Sequence, residues 1–171
     1  YANLLAQARG LIAKAAGELL IALWPAEARA LGPDLSAAEA CGTRITTLCL
    51  AACAEECGGC RGRILRNTVV ETPGARWLLL VEGGEEMLAG EIPTDQEVTV
   101  VRTRQPLLVN MTGWFIRQAM ALGVLLADAG DVLEHHLAPA AHAVLAEIDP
   151  HGTTGWLAYM RGLLREAPPH S

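Results

Sequence analysis

All five cysteines of this 171-residue chain fall in one stretch, at Cys41, Cys49, Cys53, Cys57 and Cys60. Steps of eight, four, four and three residues place them near one face of a helix. Thiolates sharing a face are the ligands of a soft metal or an iron–sulfur cluster, and Cys53-x3-Cys57-x2-Cys60 has the spacing of the radical-SAM cluster motif. That motif works at the mouth of a large α/β barrel, which a chain this short and this rich in helical signal does not build. A structural zinc site draws ligands from two separated knuckles, and only Cys57-Gly58-Gly59-Cys60 resembles one. The stripe is therefore expected to be small core residues facing another helix, with no cofactor. The thiolate alternative would use Cys49, Cys53, Cys57 and Cys60.

Other chemistry is sparser. Asp131, His135 and His142 could share a helix face and suit a metal, but their spacing is that of an ordinary solvated face. There is no Gly-x-Ser-x-Gly, phosphate loop or dinucleotide fingerprint. Of the two serines, Ser36 reads as a helix cap and Ser171 ends the chain. The acid pairs Glu55-Glu56 and Glu85-Glu86 are adjacent rather than opposed, so no carboxylate mechanism is supported. No catalytic residue is assigned, and the chain leans away from an enzyme.

The whole-chain balance narrows the partners. Net charge is −6, and arginines are spread along the sequence without aromatic interleaving, so nucleic acid is not an expected partner. No apolar run reaches the ~18 residues of a membrane span. The odd cysteine count, confined to one stretch, reads as reduced thiols and a cytoplasmic setting. The length suits a single domain over 1–171.

The elements that would position these residues are helical at both ends. Leu4, Leu5, Ala8, Leu11, Ile12, Ala15, Leu19 and Leu23 recur at helical spacing until Trp24-Pro25. Ser36 and Glu39 form a capping box that would open a second helix over 36–57, closed by Gly58-Gly59. Helices are also expected over 113–128 from a Thr112 cap, 132–148 from Asp131, and 155–166 from Thr154. Between the helical arms, Ile64-Leu65, Val69-Val70, Trp77 to Val81 and Val98 to Val101 read as strands, divided by Pro73-Gly74, Gly83-Gly84 and Pro93-Thr94-Asp95. Two fold classes follow. One is a mostly α helical bundle around a buried central helix at 113–128; the other is α+β, with an antiparallel meander over 62–103.

Thr-Gly-Trp occurs twice, at 112–114 and 154–156, each at an expected helix start. Asn110 to Trp114, continued through Ala119 and Gly123, resembles the first homology motif of the Bcl-two family of apoptosis regulators. Gly152 to Tyr159 is similar to that family's second motif. The basic residue here, Arg117, lies three after Trp114, where the family pattern has it two after. The resemblance implies a non-enzymatic, intracellular regulator that binds an amphipathic, pro-apoptotic type of helix in a hydrophobic groove. Asn110, Gly113, Trp114, Arg117, Gly155, Trp156 and Arg161 would contact the partner helix. It also implies a location reaching the mitochondrial surface, and homodimers are allowed. The alternatives are an α+β sensing or assembly domain and a thiolate metal protein.

Overall fold

The computed structural model describes residues 1–50, 58–66, 75–94, 97–136 and 138–148. Helix α1 (Ala2–Lys14) carries Leu4, Leu5, Ala8, Leu11 and Ile12 on its buried side. The expected helix does not continue to Trp24, because Glu18–Leu23 is strand β1. Leu19 to Leu23 are all buried, which is the unbroken apolar run of a strand covered on both faces. Such a run also satisfies helical spacing, and periodicity alone cannot separate the two.

Helix α2 (Pro25–Ala40) starts at a proline in its first turn, where the missing N–H costs nothing. Ser36 thus lies inside α2 rather than capping a helix over 36–57. Of that expected helix, residues 36–40 belong to α2, 44–49 form strand β2 (Arg44–Cys49), whose Ile45, Thr46 and Thr47 are β-branched, and 51–57 lie outside the described residues. Strand β3 (Arg63–Arg66) follows, then β4 (Ala75–Glu82), β5 (Glu86–Pro93) and β6 (Thr99–Thr103). The six form one sheet in the order β3-β2-β1-β4-β5-β6. β1 runs parallel to β2, and β2 to β3, whereas β4, β5 and β6 are antiparallel to their neighbours. Val69-Val70 lies outside the described residues.

Helix α3 (Pro106–His136) is one continuous helix of 31 residues, followed by α4 (Pro139–Ile148). Thr112 and Asp131 are therefore interior positions and not caps; the start is signalled by Pro106. The expected helix over 155–166 lies outside the described residues. With a six-stranded mixed sheet at its centre, the molecule is α+β and not a helical bundle around a buried helix.

Strand alternation gives the sheet two apolar faces. On one, Leu19, Ile21, Leu23, Leu78, Leu80, Leu88 and Ile92 pack beneath α1 and α2. On the other, Leu20, Ala22, Trp24, Leu48, Val81 and Met87 meet Val109, Ile116 and Met120 of α3. The other side of α3 leaves Leu107, Met111, Trp114 and Leu125 more than half exposed. Among the described residues, no helix is long and apolar enough to cross a membrane.

Candidate functional site

The arginines sort into two sets. Arg9 pairs with Asp34 at 3.3 Å, Arg102 and Arg104 with Glu86 at 2.6 and 3.0 Å, and Arg117 with Glu18 at 2.7 Å. Arg61 donates from Nε to Ser36 Oγ at 2.6 Å and from Nη1 to two backbone carbonyls. Arg29, Arg44, Arg63 and Arg66, by contrast, are exposed and have no anionic partner among the described residues; Arg29 stands apart on α2, and the other three belong to β2 and β3. Arg44 and Arg63 share one face of the β2–β3 margin, while Arg66, three residues from Arg63, lies on the opposite face. Arg63 and Arg66 begin and end the edge strand β3, with Arg63 paired in register to Thr46. Arg44 lies two residues before Thr46, hence on the same face as Arg63. Unpaired guanidiniums keep all their donors for phosphate oxygens. They also stop another strand from adding to the edge.

Glu86 is the opposite case. Only 5% exposed, it accepts from Lys14, Arg102 and Arg104. The Lys14 ammonium, opposed by burial and reinforced by the two arginines, holds its carboxyl down to about 2. A carboxylate so fully committed to cations is a poor proton acceptor near neutral pH. Its position ties α1 to β5 and β6.

A second buried carboxylate lies at the carboxyl end of β1. Here α2 begins, α1 presents its amino end, and β4 starts beside the end of β5, with Ala75 in register with Pro93. Glu27 of α2 is fully buried. Its Oε1 accepts from the Tyr1 hydroxyl at 3.1 Å and from Arg76 at 3.4 Å. Burial, and then the negative Glu27, raise the Tyr1 phenol above its ordinary value. Glu27 Oε2, Arg76 Nε and Trp24 Nε1 are buried without a hydrogen-bond partner among the described residues. Tyr1 and Arg76, together with Ile92, Pro93, Glu97 and Val98, line a cleft of about 660 Å3, whereas Trp24 packs on the other face of the sheet against α3.

The residues singled out by the sequence do not come together. Cys41 follows the end of α2 and is exposed, Cys49 ends β2 and is buried, and Cys60 is half-buried in the loop before β3. Cys53 and Cys57 lie outside the described residues. The stripe is thus divided among several elements, because Thr46 and Thr47 turn the chain into a strand where helical spacing was assumed. Among the described residues, no group of three His, Cys, Asp or Glu could hold a metal ion. The side chains of Asp131, His135 and His142 lie outside the described set.

Asn110, Gly113, Trp114 and Arg117 all lie on α3. Gly113 faces inward, while Asn110 and Arg117 are exposed and Trp114 is 66% exposed. Arg117 reaches the sheet through Glu18. Gly155, Trp156 and Arg161 lie outside the described residues. Neither Glu27 nor Arg76 was marked by the sequence, and Glu86 entered only as half of an adjacent acid pair with no mechanism behind it. The usable signals were Pro25 and Glu27 at the first and third positions of a helix, which locate its start.

No protein-family model and no curated protein matches the chain. Solved structures do share its fold. TrmBL2, an archaeal chromatin protein described as showing a novel mode of DNA binding, superposes with a TM-score of 0.52 at 14% identity, over 68% of this chain and 48% of TrmBL2. NucT from Helicobacter pylori gives a TM-score of 0.57 at 7% identity, over 70% of this chain and 89% of NucT. Nuc from Salmonella typhimurium, a phospholipase D family member, reaches 0.44 at 15% identity, over 67% and 84%. The chain therefore spans about half the length of TrmBL2.

These findings overturn the Bcl-two resemblance and, with it, an apoptosis regulator that takes an amphipathic helix into a groove. The physical reason is that both short motifs rest on helix starts, and the first lies within α3 on a sheet. The exclusion of nucleic acid as a partner falls as well, since the fold is shared with a DNA-binding chromatin protein. A chain-average charge of −6 hides three unpaired arginines on one margin.

Proposed function

We propose that this chain is a domain of a DNA-associated protein, and that the β2–β3 margin is the part that meets the phosphate backbone. The observation that carries this reading is the sorting of the arginines. Arg44, Arg63 and Arg66 are exposed and unpaired on one margin, whereas the arginines at the opposite margin are neutralised by Glu86. The fold shared with TrmBL2 supports the choice of DNA over other polyanions. Three such contacts position a protein on a duplex and carry no base readout. The net charge of −6 keeps the affinity modest.

Fluorescence anisotropy of a labelled DNA duplex, titrated with the chain at low salt, tests this. Binding is expected, and Arg44→Gln/Arg63→Gln/Arg66→Gln should abolish most of it. A control, Arg9→Gln/Arg104→Gln, alters two paired arginines elsewhere and should bind nearly as well as the parent. Equal loss in both variants would mean that only total charge matters, and the margin would have no special role.

A further inference from the structure

The side of α3 that faces away from the sheet is apolar where a solvated helix would carry charge. Val109, Gly113, Ile116 and Met120 are buried towards the sheet. At about 100° per residue, Leu107, Met111, Trp114, Gln118, Ala121 and Leu125 fall along a single opposite line, with Leu107 and Leu125 about five turns apart. All six are exposed and none is charged. An amphipathic helix beside water ordinarily sets charged side chains on that side. Arg117, the charged residue of α3 between Pro106 and Leu125, lies on the flank of this line and is occupied by Glu18. On the other flank Phe115 stands edge-on to Trp77, with 5.8 Å between ring centroids, which fixes that border of the strip. The strip is about 27 Å long and about 10 Å wide. Exposed apolar surface in one continuous piece marks a contact site.

We propose that this strip is the contact surface for a second copy of the chain, the two α3 helices lying antiparallel about a two-fold axis at Gln118. A two-fold interface must complement itself, since whatever residue i meets on the partner meets residue i in return. The strip does so. With Gln118 at the axis, Met111 of each copy faces Leu125 of the other, and the large Trp114 enters the space over the small Ala121 beside Leu122. A parallel pairing would instead set indole against indole and Ala121 against Ala121. At the axis the two Gln118 amides can pair with each other, N–H donating to carbonyl. Tryptophan and methionine without charge is the composition of an interface core. Two such strips bury together about 800–1,200 Å2, the low end for specific association. The charge of −6 on each copy opposes contact further. A dissociation constant on the order of 100 µM follows, so at low micromolar concentration the chain is a monomer with Trp114 in water. The strip contains none of Arg44, Arg63 and Arg66, and the inference stands apart from the DNA reading.

The test is sedimentation velocity of the 171-residue chain, without DNA, from about 5 µM to about 1 mM. A monomer–dimer equilibrium is expected, and it should hold or tighten as salt is raised, because screening relieves the repulsion between like-charged copies and leaves apolar contact intact. Met111→Glu and Leu125→Lys, made singly, each bring one unpaired charge into the interface and should weaken association about tenfold or more. Combined in one chain they should restore it to within a few fold, since the new carboxylate of one copy then faces the new ammonium of the other. Positions 111 and 125 are about 21 Å apart along one helix, so this rescue acts between copies and not within one. The proposal is overturned by a monomer at every concentration, as when another segment or a different partner takes the strip, or by growth beyond the dimer. It is equally overturned by undiminished association in both single variants, or by a double variant no better than the singles. The dilution series of the parent needs no variant, so it decides even where a substitution lowers stability.

Discussion

Glu86→Gln removes the charge that three cations share. In the folded chain the carboxyl is held at about 2, against an ordinary value of 4.5. At about 1.4 kcal/mol for each unit of pKa, complete coupling would contribute about 3 kcal/mol at neutral pH. The partners are not sealed from water, with the Lys14, Arg102 and Arg104 side chains 34%, 33% and 75% exposed. Screening of such partners reduces the contribution to about 1–2 kcal/mol. The sign follows from the direction of the shift. A carboxyl whose folded value is depressed stabilises the fold fully above the unfolded value near 4.5, and that stabilisation disappears as the pH falls towards 2. Urea unfolding of parent and Glu86→Gln should thus differ by about 1–2 kcal/mol at pH 7, or roughly 2–8 °C in melting temperature for a chain of this size. The gap should begin to narrow below about pH 4.5 and close as the pH falls towards 2. A gap that stays constant between pH 7 and pH 3 would mean that Glu86 acts through packing alone, and the ion-pair hub would be wrong.

Other substitutions probe the backbone and the faces of α3. Gly62 has φ +70, and a Cβ there would lie 2.0 Å from the Ile45 carbonyl oxygen, whereas Gly42, at φ +94, has open space. Gly62→Ala should cost about 3 kcal/mol or more and Gly42→Ala about 1 kcal/mol in chemical unfolding, because only the first adds a collision to the strained angle. Equal costs would place β3 wrongly against β2. Trp114 is 66% exposed and Trp24 only 3%. Trp114→Phe should therefore remove a large share of the acrylamide-quenchable tryptophan fluorescence and leave the melting point within a degree or so; a large loss of stability would mean that Trp114 packs inward and that the exposed face of α3 is wrongly placed.

The sequence and the fold agree where one signal dominates. The 2–14 stripe has a single period, and Gly83-Gly84, both at positive φ, join β4 to β5 as a turn. Leu19 to Leu23 was illegible because a strand buried on both faces satisfies helical and strand patterns alike. The cysteine spacing pulled the reading of 44–49 towards helix, although Ile45-Thr46-Thr47 pointed to strand. The site was less legible than the fold. Glu27 and Arg76 are 49 residues apart, and topology alone brings them together. Glu85 and Glu86 are adjacent in sequence, yet Glu85 is exposed in the turn between β4 and β5 while Glu86 begins β5 among three cations on other elements. A chain-wide charge count could not reveal which arginines remain unpaired, since pairing is a property of the folded surface.

Arginines at the β2–β3 margin are the heart of the functional reading, and salt dependence measures them most directly. For a duplex, the logarithm of the association constant falls against the logarithm of salt concentration with a slope of about −0.9 for each phosphate contact, so three contacts give about −2.7. The account predicts a slope near that value for the parent and close to zero for Arg44→Gln/Arg63→Gln/Arg66→Gln. A parent slope indistinguishable from that of the variant, or no binding to DNA even at low salt, would contradict it.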